Sequence, residues 1–190
     1  KLMVTWLVGG RDAGYAKAFM DDVAWRLRNR VQLTSDGHYA YLSAVESAFG
    51  GDVDYAMLVK KYGHAPDGQR RYSPPICLGA DIQPVTGAPD SDFVSTSYVE
   101  RSNLTIRMMN RRFTRLTNAF SKKLANHDHA FSLFAMHYNF ARVHKTLRVT
   151  PAMQAGIGEH VWTMKQIVEM IDAAVPETTK RGPYKKRNSN

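Results

Sequence analysis

The sequence contains a single cysteine, Cys77, among its 190 residues. One thiol cannot form a disulfide or a cysteine-based zinc site within one chain, so a disulfide framework is excluded and a reducing compartment is expected. No apolar run approaches the roughly 20 residues that a transmembrane helix needs, and the first residues lack the pattern of a signal peptide. These absences predict a cytoplasmic protein without a membrane partner.

Acidic residues are almost absent from the middle of the chain. Residues 101–150 contain ten Lys and Arg but only one acid, Asp128, whereas residues 1–100 contain ten Lys and Arg and twelve acids. The formal net charge of +9 therefore belongs to the middle of the chain and to the tail. A basic block in an otherwise neutral fold indicates a polyanionic partner, with nucleic acid as the first expectation. The alternative is a basic helix that only water contacts.

The first third of the sequence alternates between strand and helix patterns. Runs of β-branched and aromatic residues that end in Gly-Gly or Asp-Gly predict strands, and apolar residues spaced four apart predict a helix. Asp12 is the expected cap of the first helix. Alternating strands and helices are typical of an α/β fold with parallel strands. The predicted elements are a strand over residues 2–10, a helix over 12–29, a strand over 31–37, a helix over 39–51 and a strand over 53–60.

The remainder of the sequence predicts a long loop followed by helices. Residues 61–92 contain five of the eight prolines and little periodicity, which indicates an insertion or loop with room for a short hairpin around 76–82. The polar, basic residues 176–190 predict a tail that is disordered on its own. Helices are predicted over 97–116, 127–142, 150–157 and 163–174. The apolar residues expected in the core are Trp6, Trp25 and the helical stripe Met108, Met109, Phe113, Leu116 and Phe120.

Asp36 follows a predicted strand in the stretch LTSDGHYAY. In open α/β sheets ligands bind at the carboxyl ends of strands, and the glycine after Asp36 permits a turn that leaves the carboxylate at the rim. One interpretation is therefore a residue of a ligand-binding site, and the alternative is an ordinary Asp-Gly turn. His38 could approach a metal or a phosphate, or simply begin the next helix.

Glu100 lies at the start of a predicted helix in the stretch VERSNLTIRMMNRRFTR. Within this stretch it is the only acid, and five arginines follow it. Helical spacing places Glu100, Asn103 and Arg107 on one face. An acid, an amide and a guanidinium on one face suit metal-assisted phosphodiester chemistry, because carboxylates hold Mg²⁺ and a nearby cation holds the phosphate. The alternative is a surface acid that complements the dipole at the start of the helix.

Three longer stretches carry a resemblance to a known family. They are GGRDAGYAKAFM, VQLTSDGHYAYLSAV and YVERSNLTIRMMNRRFTRLTNAFSK. Together they resemble the DDE transposases of bacterial insertion sequences, of the insertion-sequence-one type, in the ribonuclease-H-like (integrase) superfamily. The stretch HYNFARVHKTLRVTPAM resembles the segment that follows the catalytic core in several such transposases. The resemblance implies that Asp36 is the second acid of the catalytic triad, Glu100 the third, and Arg107 the basic residue seven positions after the glutamate.

The resemblance also implies a fold, a ribonuclease-H-like mixed sheet flanked by helices with a helical C-terminal extension. The family's first aspartate ends a strand that would precede Lys1, and Asp12 lies too late for that role. The chain is therefore expected to be a catalytic-domain fragment that lacks the first strand. Its expected parts are the first part of the core over residues 1–60, an insertion over 61–93, the glutamate-bearing helices over 94–145, the helical extension over 146–175 and the tail over 176–190.

The implied function is DNA cleavage and strand transfer with two divalent ions, Mg²⁺ or Mn²⁺, held by Asp36, Glu100 and an upstream aspartate. The implied partners are the DNA of element ends and target and further copies of the chain in a homo-oligomer, in a bacterial, nucleoid-associated setting. The alternatives are a truncated or repurposed non-catalytic nucleic-acid-binding domain and a nuclease of the same superfamily. The residues expected to contact DNA are Arg101, Asn103, Arg107, Arg111, Arg112, Arg115, Lys122, Lys123, Arg142, His144, Lys145 and Arg148.

Overall fold

The computed structural model describes residues 1–63, 76–114 and 118–175. The chain divides into two compact units, Lys1–Phe134 and Ala135–Asn190. The predicted disordered tail, Leu116 of the predicted core stripe and part of the predicted loop lie outside the described residues. None of the helices in the described ranges is long and apolar enough to cross a membrane.

A three-stranded mixed sheet forms the centre of the first unit. Its strands are β1 (Val31–Asp36), β2 (Val53–Tyr62) and β3 (Cys77–Thr86), in the order β1-β2-β3. β1 and β2 run parallel, and the register pairs Asp36 with Leu58. β3 runs antiparallel to β2. The predicted mixed α/β architecture with parallel strands is confirmed at this level.

Two helices cover one face of the sheet and build the core. α1 (Ala13–Arg26) begins at Asp12, whose Oδ1 accepts the N–H groups of Gly14 and Tyr15 at 2.9 and 3.1 Å. α2 (Ala40–Phe49) ends at Gly50, whose φ of 54° lies in the left-handed region that glycine adopts without strain. Both helix ends agree with the sequence prediction. The buried core residues are Ala16, Met20, Ala44, Val45, Val53, Tyr55 and Met57.

β3 occupies Cys77–Thr86 within the region predicted as a loop, and it overlaps the short hairpin expected around residues 76–82. The pattern hid this strand because its glycine and proline are unusual in strands, and its residues are exposed on both faces. Pro84 is tolerated because β3 is an edge strand, and a register shift in β2 lies beside it. After β3 the chain turns at Gly87, where φ is 70° and an added Cβ would collide with the Asp54 carboxylate.

The strand predicted over residues 2–10 is wrong. This segment lies outside the sheet, and two of its side chains donate hydrogen bonds to acids on helices. The hydroxyl of Thr5 donates to the carboxylate of Asp22 on α1. The indole Nε1 of Trp6 donates to Asp128 Oδ1 at 3.0 Å. An apolar run becomes a strand only where a partner strand accepts its backbone hydrogen bonds.

α3 (Ser97–Met109) ends earlier than predicted. Asn110 terminates it and accepts the N–H of Arg112 with its side chain, and a short 3₁₀ helix follows at Arg111–Phe113. The predicted core stripe is also wrong in part, since the side chains of Met108 and Phe120 are 76% and 61% exposed. Trp25, expected in the core, is 82% exposed.

The remaining helices end the first unit and build the second. α4 (Leu124–Met136) continues into a π-helical turn at His137–Ala141. α5 (Pro151–Gln154) is capped by Thr150, and α6 (Met164–Ala174) begins with a capping box between Thr163 and Gln166. The fully buried residues Thr150, Ala152 and Ile167 form part of the interior of the second unit.

Candidate active site

Asp36 lies at the carboxyl end of β1 with its side chain exposed. Its Oδ1 accepts the backbone N–H of His38 at 3.2 Å, which orients the carboxylate at the start of the turn. The preceding residue, Ser35, is buried, and its hydroxyl donates to the Asp36 carbonyl at 2.9 Å. The same hydroxyl lies 2.7 Å from the phenol oxygen of Tyr55 on β2. Buried hydrogen bonds therefore fix the strand end from which the Asp36 carboxylate projects.

Glu100 lies in the first turn of α3, where two side chains hold its carboxylate. The ammonium group of Lys60 forms an ion pair with Oε1, and the Thr96 hydroxyl donates to the same oxygen at 3.0 Å. The hydrogen bond from Lys60, followed by that from Thr96, lowers the pKa of the Glu100 carboxyl. The carboxylate is therefore held in its ionised form, which is the form that binds a cation.

The ion pair to Lys60 fixes Glu100 beside the second half of β2, the strand that pairs with β1. Asp36 is paired with Leu58 across the parallel strands, and Lys60 follows Leu58 by two residues on β2. Side chains two residues apart on a strand project from the same face. The structure therefore ties the head of α3 to the end of the strand next to β1.

One oxygen of each carboxylate is available for a ligand. Among the described residues, no donor contacts Oδ2 of Asp36 or Oε2 of Glu100. Two exposed carboxylate oxygens are the donor type that Mg²⁺ and Mn²⁺ prefer. Within residues 1–63, 76–114 and 118–175, no group of three or more His, Cys, Asp or Glu side chains is placed to hold a metal ion.

A cavity of about 220 Å³ adjoins Asp36 and is lined in part by Arg11, Asp12, His38 and Tyr41. Burial raises the pKa of the Tyr41 phenol, the Asp36 charge raises it further, and Arg11 opposes both effects. Asp36 and Arg11 therefore both interact electrostatically with the Tyr41 phenol. The His38 and Tyr41 rings pack edge to face at 5.5 Å, and Asp12 is already engaged as the cap of α1.

Sequence reasoning missed Arg11, Lys60 and Thr96. Arg11 stands in the quoted stretch GGRDAGYAKAFM, so its position before a helix cap was a usable signal. Lys60 ends an apolar strand pattern, and Thr96 stands four residues before Glu100, a spacing that places the two side chains on one helix face. No local signal pairs Lys60 with an acid 40 positions away.

Asn103 and Arg107 line a second cavity, of about 630 Å³, rather than the space at Asp36. Both side chains are exposed, and α3 is continuous from Glu100 through Arg107, so the predicted shared face exists. The Thr114 hydroxyl donates to the carbonyl oxygen of Arg107 at 3.0 Å and stabilises the last turn of α3. Glu100 and Arg107 thus lie two turns apart on one helix.

The other basic residues predicted to contact DNA fall in both units. In the first unit the five described ones are exposed, and Arg112 also donates to the Ser121 hydroxyl at 2.7 Å. Arg115 lies outside the described residues. The exposed basic residues of the first unit are Arg101, Arg111, Arg112, Lys122 and Lys123.

In the second unit, Lys145 and Arg148 are exposed, whereas Arg142 and His144 are half-buried. The Arg142 guanidinium lies over the Tyr138 ring at 6.0 Å, and the His144 ring packs against the same ring at 4.6 Å. Tyr138 is buried, so these two contacts also have a structural role. Arg148 adopts a φ of 61° in the turn that follows His144.

Comparison with family models, with curated proteins and with solved structures found no match.

Proposed function

We propose that this chain is part of the catalytic domain of a DDE-type DNA transposase with a ribonuclease-H-like fold, and that Asp36 and Glu100 are two of its three catalytic acids. The observation that carries the proposal is the ion pair of Lys60 with Glu100, which ties the glutamate-bearing helix to the strand beside Asp36. The mixed sheet, the position of Asp36 at a strand end and the exposed arginines of α3 and of the 3₁₀ helix after it also support it. The third acid would come from a strand before Lys1.

Asp36 and Glu100 would hold Mg²⁺ or Mn²⁺ through Oδ2 and Oε2, the oxygens that no described donor contacts. Bound divalent ions supply a Lewis acid and an activated oxygen nucleophile for phosphodiester chemistry. In this proposal Lys60 keeps Glu100 ionised and oriented, since its ammonium lowers the pKa of that carboxyl. The hydrogen bond from the His38 N–H orients the Asp36 carboxylate.

The basic residues of α3 and its surroundings would bind the DNA backbone. Phosphate contacts by Arg and Lys give affinity that falls with salt and does not depend on sequence. Arg107 would position a phosphate, while Arg101 and Arg111 would extend the contact along the backbone. The partners in this proposal are element ends and target DNA, with further copies of the chain assembled on them in the bacterial nucleoid.

A donor-plus-target assay in Mn²⁺, run on the longer protein that includes the proposed upstream acid, tests the proposal. The substitutions Asp36→Asn and Glu100→Gln should each reduce cleaved and joined products at least about 100-fold, since loss even of a group behind a metal ligand costs 10- to 100-fold. DNA affinity measured in EDTA should stay unchanged. Glu46→Gln is the matched control, because Glu46 is an exposed acid on α2 that lines neither the cavity at Asp36 nor the cavity at Arg107.

Each result decides between the proposal and an alternative. Joined products that depend on both acids support the transposase. Metal-dependent cleavage without joining would favour a nuclease of the same superfamily. DNA binding without any metal-dependent product, or full activity of the Glu100→Gln protein, would overturn the catalytic proposal and favour a non-catalytic nucleic-acid-binding domain.

A further inference from the structure

The cavity of about 630 Å³ beside Arg107 combines aromatic rings with a cationic side chain in its lining. It lies between the segment that contains Trp6, the second half of α3 and the first half of α4, all within the first unit. Aromatic rings and nitrogen-bearing side chains dominate its lining. The residues that matter for the argument are Trp6, Asn103, Arg107, Phe113, His127 and Phe131.

The rings hold one another in place. Phe113 lies 4.4 Å from the His127 ring and 5.7 Å from the Phe131 ring, and Trp6 lies 5.4 Å from Phe131. The indole of Trp6 is fixed further by its hydrogen bond to Asp128. All four rings remain partly exposed, so a flat group entering the cavity would meet a preformed aromatic wall.

The polar groups of the cavity are cationic or neutral. Arg107 and Asn103 are exposed at its edge, and His127 stands within its wall. None of the lining residues that the structure describes is acidic. A guanidinium binds phosphate oxygens, and an amide can pair with the edge of a base. The cavity therefore offers a site for a phosphate next to a site for a flat ring.

We propose that this cavity takes one unpaired nucleotide of a DNA strand, with the base against the Phe113 and Phe131 rings and the phosphate at Arg107. The inference rests on the proposed function in that the ligand is DNA, and it adds that the bound strand is locally single. A base within a duplex presents only its edge, whereas stacking on a protein ring requires the face of an unstacked base. Such stacking tolerates any base, because every base has a π face.

Two short ligands of equal charge separate the base from the phosphates. The probes are a 5′-phosphorylated thymidine trinucleotide and a trinucleotide of the same backbone that lacks bases, both titrated in EDTA. The thymidine ligand should bind roughly 5- to 100-fold more tightly, the range that stacking of one base supplies. Phe113→Leu keeps an apolar side chain without a π face and should remove most of that difference.

Two matched variants serve as controls. Phe93→Leu changes an aromatic residue that is 73% exposed and does not line the cavity, so the difference between the ligands should remain. Arg107→Gln should weaken both ligands by a similar factor, whereas Arg28→Gln, which alters an exposed arginine outside the cavity, should weaken neither. Circular dichroism establishes that each variant is folded.

Equal binding of the two ligands to the unmodified chain would overturn the inference, as would a folded Phe113→Leu protein that keeps the full difference. The assay contains no metal and measures no catalysis. The binding result can therefore be interpreted even if the strand-transfer assay fails. A negative binding result would likewise not contradict the roles proposed for Asp36 and Glu100.

Discussion

The ammonium group of Lys60 on β2 and the carboxylate of Glu100 on α3 form an ion pair across 40 positions of sequence. Lys60 is the more buried partner, with 30% of its side chain exposed against 52% for Glu100. The pair joins the last part of a strand to the first turn of a helix. It therefore sets where the acid at the head of α3 lies relative to the sheet.

Replacing Lys60 by Gln should raise the pKa of the Glu100 carboxyl towards its usual value, because the hydrogen bond from Lys60 is the largest cause of the lowered pKa. NMR titration of the Glu100 carboxyl carbon measures this directly. The control is Lys61→Gln, since Lys61 pairs with Asp81 instead. An unchanged Glu100 titration in the Lys60→Gln protein would mean that the ion pair does not form in solution.

Asp54 should make the stability of the first unit depend on acid pH. Hydrogen bonds from the Arg30 guanidinium and the Ala88 N–H hold the pKa of the Asp54 carboxyl at about 2. A carboxyl with a lowered pKa in the folded state adds stability that is complete above its unfolded pKa of about 4 and is lost as the pH falls towards 2.

Urea unfolding at several pH values tests this expectation. In Asp54→Asn the fall in the free energy of unfolding between about pH 4 and pH 2 should be smaller than in the unmodified chain. Asp52→Asn is the control, because Asp52 is 82% exposed and lies 3.6 Å from the Arg30 guanidinium. Parallel pH profiles for the unmodified chain and Asp54→Asn would contradict the prediction.

Tyr55→Phe should lower the free energy of unfolding by about 0.5–1.5 kcal/mol, the net value of one buried hydrogen bond. The Tyr55 side chain is fully buried, and its hydroxyl lies 2.7 Å from the Ser35 hydroxyl. Tyr39→Phe provides the comparison, because Tyr39 is 81% exposed. Denaturant unfolding of both proteins measures the difference, and equal stabilities would show that the buried hydroxyl pair contributes nothing.

Arg148→Gly should be more stable than Arg148→Ala by about 1 kcal/mol. Arg148 has a φ of 61°, a conformation that costs residues with a Cβ roughly 1–2 kcal/mol and costs glycine little. Part of that gain is offset because glycine gives the unfolded chain more freedom. Both substitutions remove the same charge, so thermal unfolding of the pair isolates the backbone effect. A less stable glycine variant would show that the turn is not strained.

The parts of the fold that sequence predicted well are those that neighbouring residues determine. Asp12 caps α1 and Gly50 ends α2 because caps act within one turn of helix. The strand ending at Asp36 followed from a short strand pattern that stops at Asp-Gly. Each of these signals spans fewer than about ten residues, and no tertiary partner has to be known.

The features that sequence did not predict depend on contacts between residues that are distant in sequence. Residues 2–10 have a strand composition, yet side-chain contacts to α1 and α4 determine where they lie. β3 forms because β2 accepts its hydrogen bonds, which outweighs the poor strand propensity of Gly79 and Pro84. Of the candidate site, the acids could be read from the sequence, but the role of Lys60 could not, since only the folded register places it beside Glu100.

The two edge strands of the sheet, β1 and β3, differ in how readily a further strand could pair with them. β3 contains Gly79 and Pro84, and the ladder that it forms with β2 shifts register near both ends. Irregular edges with proline resist pairing with a further chain, because they present an incomplete row of donors. β1, with the sequence VQLTSD, has neither proline nor glycine and keeps an unbroken register with β2. β1, the strand that ends at Asp36, is therefore the more favourable edge for a further strand to join.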